Sequence, residues 1–284
     1  MRRHLKGIDH CCVLVNDFGR AHDAFTRMGF TLSPFGRHGA DMGTGNYTVM
    51  LEGDYVELIG IIEPTAFNQE LRHVLSFREG IAAIALSTDD VVAASVEVRS
   101  AGIEARKPHH VRRPVDLPGG EKAEASFMIA EFPDVKAPYC QFFCSQAHTP
   151  EHTWVPSLMK HANTAWGIEH LAVTTPDPEG LASDNARLFD STPSKNGEGE
   201  VTVATGGTPI LYTTRAALAR RYAGADTSAV AAEGPAVLAV KVRDAKTAAD
   251  CLRQGRVTFE ETAAGLVVPP QEACGVLLVL RESA

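Results

Sequence analysis

The 284-residue sequence has no apolar run long enough to cross a membrane as a helix. Its first residues, MRRHLKGIDH, are basic but lack the apolar core of a secretory signal and lead straight into a strand pattern. A cytoplasmic protein without a membrane partner is the expectation. Aromatic residues are sparse, at 7%, and the net charge is −8, with no basic cluster interleaved with aromatics. That balance speaks against a nucleic-acid partner. The one basic patch, KPHHVRRP around Arg112, is short, and His109 and His110 beside Arg112 and Arg113 are expected in solvent. Six cysteines show no zinc-site spacing. Cys11 and Cys12 are neighbours on a strand and so face opposite sides. Cys12 and Cys140 read as packing residues, not nucleophiles.

What is present is repetition. Four stretches open alike: GIDHCCVLV from Gly7, GIAAIALST from Gly80, GIEHLAVTT from Gly167 and GPAVLAVKV from Gly234. Each is a short apolar strand, with Asp soon after it and then a helical segment and more strands. In the first unit, Ile8 to Val15 is a strand, Asn16 or Asp17 a cap, and Phe18, Ala21, Phe25 and Met28 a core-facing helical stripe. Phe30 to Phe35, Asn46 to Leu51 and Tyr55 to Ile61 are expected strands, with a hairpin at Gly53-Asp54. The second unit repeats the order: strand Ile81 to Ser87, cap Asp89 or Asp90, a helix carrying Val92, Val96 and Val98, and strands at Ile103 to Lys107, Ala125 to Ala130 and Tyr139 to Cys144. A turn-rich PVDLPGGEK lies between the first and second of these last three strands.

The third unit starts at Ile168 and the fourth at Val237. One small sheet cannot bury its inner face alone, so four modules must pair. The expected fold is α+β, a duplicated set of strand–helix–three-strand modules making two curved mixed β-sheet half-barrels with helices outside. The expected division is 1–147, an ordered crossover at 148–164 that carries Pro150 and Pro156, and 165–284.

Paired modules of this kind with His on the first strand resemble the vicinal oxygen chelate superfamily, and more narrowly its glyoxalase-like-domain proteins. The resemblance rests on Gly7–His10, His38, Gly43-Thr44, Asn46 and Tyr55–Leu58, then on HTPE at His148–Glu151 and HAN at His161–Asn163. It covers nearly the whole chain and implies the fold far more than the reaction.

The resemblance implies metal ligands on the first and last strands of each module. The first module offers His10 and Glu57, an imidazole and a carboxylate that suit a divalent ion such as Zn, Ni, Mn or Fe. The alternative is a buried His–Glu hydrogen bond. In the second module Ala83 replaces the histidine, and Gln141 in PYCQFF matches Glu57 in DYVELI, as a third ligand or as a partner for backbone groups. His170 matches His10, but Ile210 or Leu211 stands where a carboxylate would be, and Val237 and Leu278 hold the fourth module's places. No metal is therefore expected from the last two modules alone, although a site shared by His10, Glu57 and His170 stays open. His38, Thr44 and Asn46, in the Gly-rich RHGADMGTGN, with His148 and His161 from the crossover, are candidates for a substrate pocket.

The implied function is a metal-dependent isomerase or lyase acting on a small oxygenated molecule, with Glu57 as the proton-shuttling group. A non-catalytic binding or resistance protein of the same fold is the alternative, and an iron-dependent dioxygenase the second one. Either a monomer or a homodimer would satisfy the four modules.

Overall fold

The computed structural model describes residues 1–117, 119–135, 137–196 and 199–283. The chain begins with β1 (Ile8–Val15), α1 (Phe18–Arg27), β2 (Gly36–Arg37), β3 (Thr44–Met50), β4 (Tyr55–Ile61) and α2 (Gln69–Leu75). It continues with β5 (Gly80–Ser87), α3 (Val91–Ser100), β6 (His109–Asp116), β7 (Lys122–Glu131) and β8 (Gln141–Ala147). After the crossover come β9 (Ala165–Thr174), α4 (Pro178–Phe189), β10 (Ser194–Lys195), β11 (Val201–Val203), β12 (Ile210–Thr213) and α5 (Arg215–Arg221). The last unit is β13 (Gly234–Val242), α6 (Ala245–Gln254), β14 (Glu260–Thr262), β15 (Gly265–Val268) and β16 (Leu277–Glu282). The strands form two eight-stranded mixed sheets, ordered β2-β3-β4-β1-β5-β8-β7-β6 and β10-β11-β12-β9-β13-β16-β15-β14. The first two modules thus pair with each other, and so do the last two.

Each module's first strand is joined antiparallel to its partner's first strand and parallel to its own last strand. The β1–β5 pairing maps onto itself when His10 is exchanged for Ala83 and Cys12 for Ala85. The four repeated openings are therefore equivalent in space as well as in sequence. The four Asp residues after them share one job. Asp17, Asp90, Asp177 and Asp244 cap α1, α3, α4 and α6, each accepting from a backbone N–H of the first turn. Such a cap is worth ~1 kcal/mol.

The helices α1, α3, α4 and α6 pack with residues of both sheets in one continuous core that includes Val13, Phe25, Ile84, Phe142, Phe189, Leu238 and Leu278. On the opposite face of the first sheet, β2 and β6 at the two edges approach each other, so that sheet curls almost into a barrel.

Several expected elements differ. Phe30 to Phe35 and Ile103 to Lys107 are not strands, and β6 runs instead through the basic patch. In PVDLPGGEK, Pro118 lies outside the described residues; the strand persists to Asp116 and the turn follows. On α3 the buried positions are Val91, Ala94, Ser95 and Val98, while Val92 and Val96 stand outward at 57% and 55% exposure. Helices α2 and α5 were not expected. Both are short, and both lie over the inner face of a sheet, α2 through Leu71 and Val74 and α5 through Ala217 and Leu218. In the crossover, the buried Asn163 donates through Nδ2 to Met28 O, and the His161 ring bridges Thr31 N and Met50 O.

Candidate functional site

The two inner faces have different fates. In the second sheet, Ala172, Leu211, Val237, Ala239, Leu277 and Val279 pack against Leu218, Tyr222 and Val230 as a closed apolar cluster. In the first sheet the corresponding space is a cavity of about 830 Å³. α2 covers only part of its floor, against Cys12, Leu14, Ile59 and Ala83.

His10 and Glu57 are both buried, at 4% and 7% exposure, and both line this cavity. They lie on β1 and β4, which run parallel with Cys12 opposite Glu57 and His10 opposite Tyr55. His10 Nε2 is 3.8 Å from Glu57 Oε2, and Cys12 Sγ donates to the same oxygen at 3.1 Å. Asn46 Nδ2 donates to the other oxygen, Oε1, and His38 Nε2 stands 3.6 Å from it. Burial alone would raise the Glu57 carboxyl. The imidazoles of His38 and His10 and the bonds from Cys12 and Asn46 outweigh burial and hold it below its ordinary value. Burial pushes the Cys12 thiol well up, and the Glu57 charge adds to this, so Cys12 is a protonated donor to Glu57.

Second partners orient both imidazoles. His10 Nδ1 lies 2.7 Å from Asp9 Oδ2 and donates to it, which turns Nε2 toward Glu57. The ring is stacked on Tyr55, with centroids 4.2 Å apart, and meets the edge of Phe143. His38 Nδ1 lies 2.8 Å from Thr44 Oγ1, and Asn46 Nδ2 approaches its Nε2 at 3.4 Å, which makes Nε2 the acceptor and Nδ1 the donor. Burial pulls His38 below its ordinary value, against the opposing pull of Glu57.

The donor set fits a divalent metal. One donor atom each from His10, Cys12 and Glu57 lies within 4.8 Å of the others. Two metal–ligand bonds of ~2.0–2.2 Å span at most about 4.4 Å, and the His10–Glu57 and Cys12–Glu57 separations fall inside that limit.

The other sequence candidates divide. Gln141 lines the same cavity, but its amide donates to Glu70 on α2. Its register corrects the motif match. Gln141 pairs with Ala83 as Tyr55 pairs with His10, so Phe143, opposite Ala85, holds the place of Glu57 in the second module. The PYC/DYV likeness is two residues out of step, because Tyr139 sits in the preceding turn with φ of 60°. The same register puts Leu211 and Val279, rather than Leu278, at the carboxylate's place in the third and fourth modules.

His170 is not in the cavity's lining. It lies on the other sheet, with Nε2 3.2 Å from the buried Tyr222 hydroxyl and Nδ1 3.7 Å from Glu169. It therefore does not join His10 and Glu57. His148 is exposed and meets His110 edge to face, and His161 is the crossover bridge described above. Neither lines the cavity. His38 and Asn46 do line it, and Thr44 supports His38 from behind.

Two residues were missed. Cys12 belongs to the cluster, and nothing in its sequence context separates it from a packing cysteine. Arg113, read only as part of the short basic patch, is 7% exposed and lines the cavity. The alternation Val111, Arg113, Val115 was the signal for one inward face; His109, Val111 and Arg113 all line the cavity.

A family model described as a glyoxalase-like domain matches residues 8–189. No curated protein sequence matches the chain. Among solved structures, a hypothetical protein from Staphylococcus aureus superposes with a TM-score of 0.70 at 11% identity, over 97% of this chain and 99% of that one. A mutant of 4-hydroxymandelate synthase from Streptomyces coelicolor does so with 0.59 at 16% identity, over 98% and 92%. The Mn(II)-bound glyoxalase from Novosphingobium aromaticivorans gives 0.57 at 13% identity, over 98% and 82%. These likenesses are of fold. Together with the module order, the two paired sheets and the match over residues 8–189, they establish that the chain belongs to the glyoxalase-like domain family, within the vicinal oxygen chelate fold.

Proposed function

We propose that this chain is a metal-dependent enzyme of the isomerase or lyase type, acting on a small oxygenated organic molecule in the first-sheet cavity. The observation that carries the reading is the convergence of His10, Cys12 and Glu57 donor atoms within 4.8 Å on the wall of a cavity of about 830 Å³. His10 and Glu57 would hold a divalent ion, and Cys12, a thiol that donates to Glu57, would join them by giving up its proton to the solvent. When bound, such an ion supplies Lewis-acid polarisation of a carbonyl or enediolate oxygen.

The chain's own residues do the rest. Asp9 fixes the His10 tautomer and ring plane, and Tyr55 stacks beneath the ring, so Nε2 is held in one direction. Glu57 stays ionised in a buried wall and so can take a proton from a carbon beside a polarised oxygen. His38, held by Thr44 at Nδ1 and Asn46 at Nε2, stands on the far side of Glu57 and orients the Asn46 amide that donates to the carboxylate. Ile59, Phe127 and Phe143 give the rest of the space an apolar strip for the carbon skeleton of the substrate.

The test is metal content and affinity in the purified wild type against His10→Ala and Glu57→Gln, joined to deuterium exchange into carbonyl compounds in D₂O. Stoichiometric metal lost in both variants, with exchange that depends on it, supports the reading. Equally low metal in all three under every divalent ion sinks it. Iron accompanied by oxygen uptake would make the reaction a dioxygenation instead.

A second reading, a non-catalytic binding protein, is favoured by one observation. Cys12 and Asn46 already donate to the two Glu57 oxygens, so the carboxylate is satisfied by protein alone. On that reading organic ligands raise the melting temperature without any metal.

A further inference from the structure

We infer that Arg113 is the anchor for an anionic group of the ligand, so that the cavity selects carboxylates over their neutral counterparts. The inference rests on the cavity being the ligand site, as proposed above, and does not depend on the metal.

Arg113 sits on β6, the edge strand at the opposite end of the first sheet from β2. Its side chain points to the inner face, and 93% of its surface is covered, leaving it 7% exposed. Among the described residues, no hydrogen bond or ion pair satisfies its guanidinium, although a planar fork of five donors buried without an acceptor is costly. Glu57 is the carboxylate whose charge acts on it through space. Most other charged groups around the cavity have partners or solvent, the exception being Glu131 Oε2, a buried acceptor that cannot itself hold an anion. Glu131 faces His109 at 3.8 Å, Glu70 accepts from Gln141, and Arg106 and Lys107 are exposed.

The fold makes room for this cation. A Cβ on Gly36 of β2 would lie 2.7 Å from Arg113 Nη1 and 2.6 Å from Asn46 Oδ1, itself a buried oxygen without a hydrogen-bond partner. The missing side chain therefore lets the guanidinium extend across from β6 to the Asn46 side of the cavity, toward the wall that holds Glu57. A buried, unpaired arginine facing a cavity is completed by a bidentate anion, and a carboxylate matches the fork. A ligand with its carboxylate on Arg113 would present its other end within the same space as His10 and Glu57.

Calorimetric titration with three acid–amide pairs of matched shape tests this: benzoate and benzamide, phenylacetate and phenylacetamide, cyclohexanecarboxylate and its amide. Wild type is expected to bind at least one acid roughly tenfold or more tighter than its amide. Arg113→Met should lose that preference, and Arg113→Lys, which keeps charge without the fork, should keep part of it. His10→Ala should leave it in place. If no acid binds wild type, or if acids and amides bind alike, the inference is overturned, and this arm needs no variant to fold. A preference that persists in folded Arg113→Met overturns it as well. Metal content is measured on the same samples. A wild type without metal that still selects acids through Arg113 removes the metal reading and supports this one, whereas a metal-loaded wild type blind to the charge removes this one alone.

Discussion

Asp9 and His10 are consecutive residues on β1, yet Asp9 Oδ2 lies 2.7 Å from His10 Nδ1. Consecutive strand residues ordinarily face opposite sides. A bulge resolves the conflict. Ile8 pairs with Leu86 and His10 with Ala85, so Asp9 is an extra residue with no partner on β5, and the local twist turns its carboxylate toward the ring. The same irregularity recurs on β9, where Glu169 is the extra residue beside His170. The repeat thus carries a way of aiming a histidine as well as a strand.

If Asp9 positions His10, removing its carboxylate should weaken the metal site without emptying it. Asp9→Ala is expected to lower divalent-metal affinity by about 10–100-fold. Asp9→Asn, which keeps an acceptor for Nδ1–H, should cost less. Titration of the metal-free protein with Zn²⁺ and Mn²⁺ measures both, and an unchanged affinity in Asp9→Ala would remove Asp9 from the site.

The sequence pattern made the module order readable because strand, capping Asp and helix are all local signals. The four capping aspartates illustrate this. What failed is non-local. Arg113 stood out only as one member of a short basic patch, and its burial depends on β6 curling over the cavity toward Gly36. Gln141 looked like the counterpart of Glu57 because a Tyr precedes both, but register is set by pairing across strands, and Tyr139 belongs to a turn. The closed inner face of the second sheet depends on α5 and Tyr222, a segment too short to announce itself by periodicity. Both helices that decide where a cavity exists were invisible for the same reason.

The glycines of the four openings do not carry equal weight. Gly7 has φ of 107°, and a Cβ there would lie 2.8 Å from the backbone N of Gly207 in the other half. Gly167 is without positive φ, and its nearest neighbour, Lys241 Cδ, would stand at an ordinary 3.7 Å. Gly7→Ala should therefore destabilise the protein by about 1–3 kcal/mol from backbone strain, plus the cost of moving the Gly207 loop. Gly167→Ala should be within about 0.5 kcal/mol of wild type. Urea unfolding of the two variants compares them directly, and equal midpoints would contradict the contact.

His170 gives the second half an acid-sensitive point. Burial pushes its pKa down to about 3, and the charges of Arg221 and Arg281 add to the effect. The native state therefore holds it neutral, while the unfolded chain protonates near the ordinary imidazole value of ~6.5. Its contribution to stability is present above about pH 6.5 and is lost as the pH falls from there toward 3. His170→Leu gives up the Tyr222 contact, at about 1 kcal/mol near neutrality, but lies in an apolar cluster and cannot titrate. Its stability should fall less steeply than wild type below about pH 6 in paired melting curves; parallel acid limbs would show that His170 is not the sensor.

Asp54 acts in the opposite direction, at the seam between the halves. Its carboxylate accepts from Ile168 N, at 3.1 Å from each oxygen, and burial raises its pKa to about 7 against the lowering effects of that bond and of Lys241. The folded protein therefore binds this proton more tightly than the unfolded chain, whose Asp titrates near 3.9. Between those values the unfolded state holds fewer protons, so stability falls as the pH rises from about 4 to about 7, by up to about 4 kcal/mol. The penalty is complete above that window, where an ionised Asp54 must remain buried. Asp54→Asn keeps an acceptor oxygen for Ile168 N–H and removes the proton equilibrium. It should match or exceed wild-type stability at about pH 8 and fall behind it at about pH 5, because protonation favours only the native aspartate. Urea midpoints for both proteins at the two pH values give four numbers, and the difference of differences isolates Asp54 from every other titrating group they share. If that double difference is zero, the Asp54 proton plays no part in joining the two sheets.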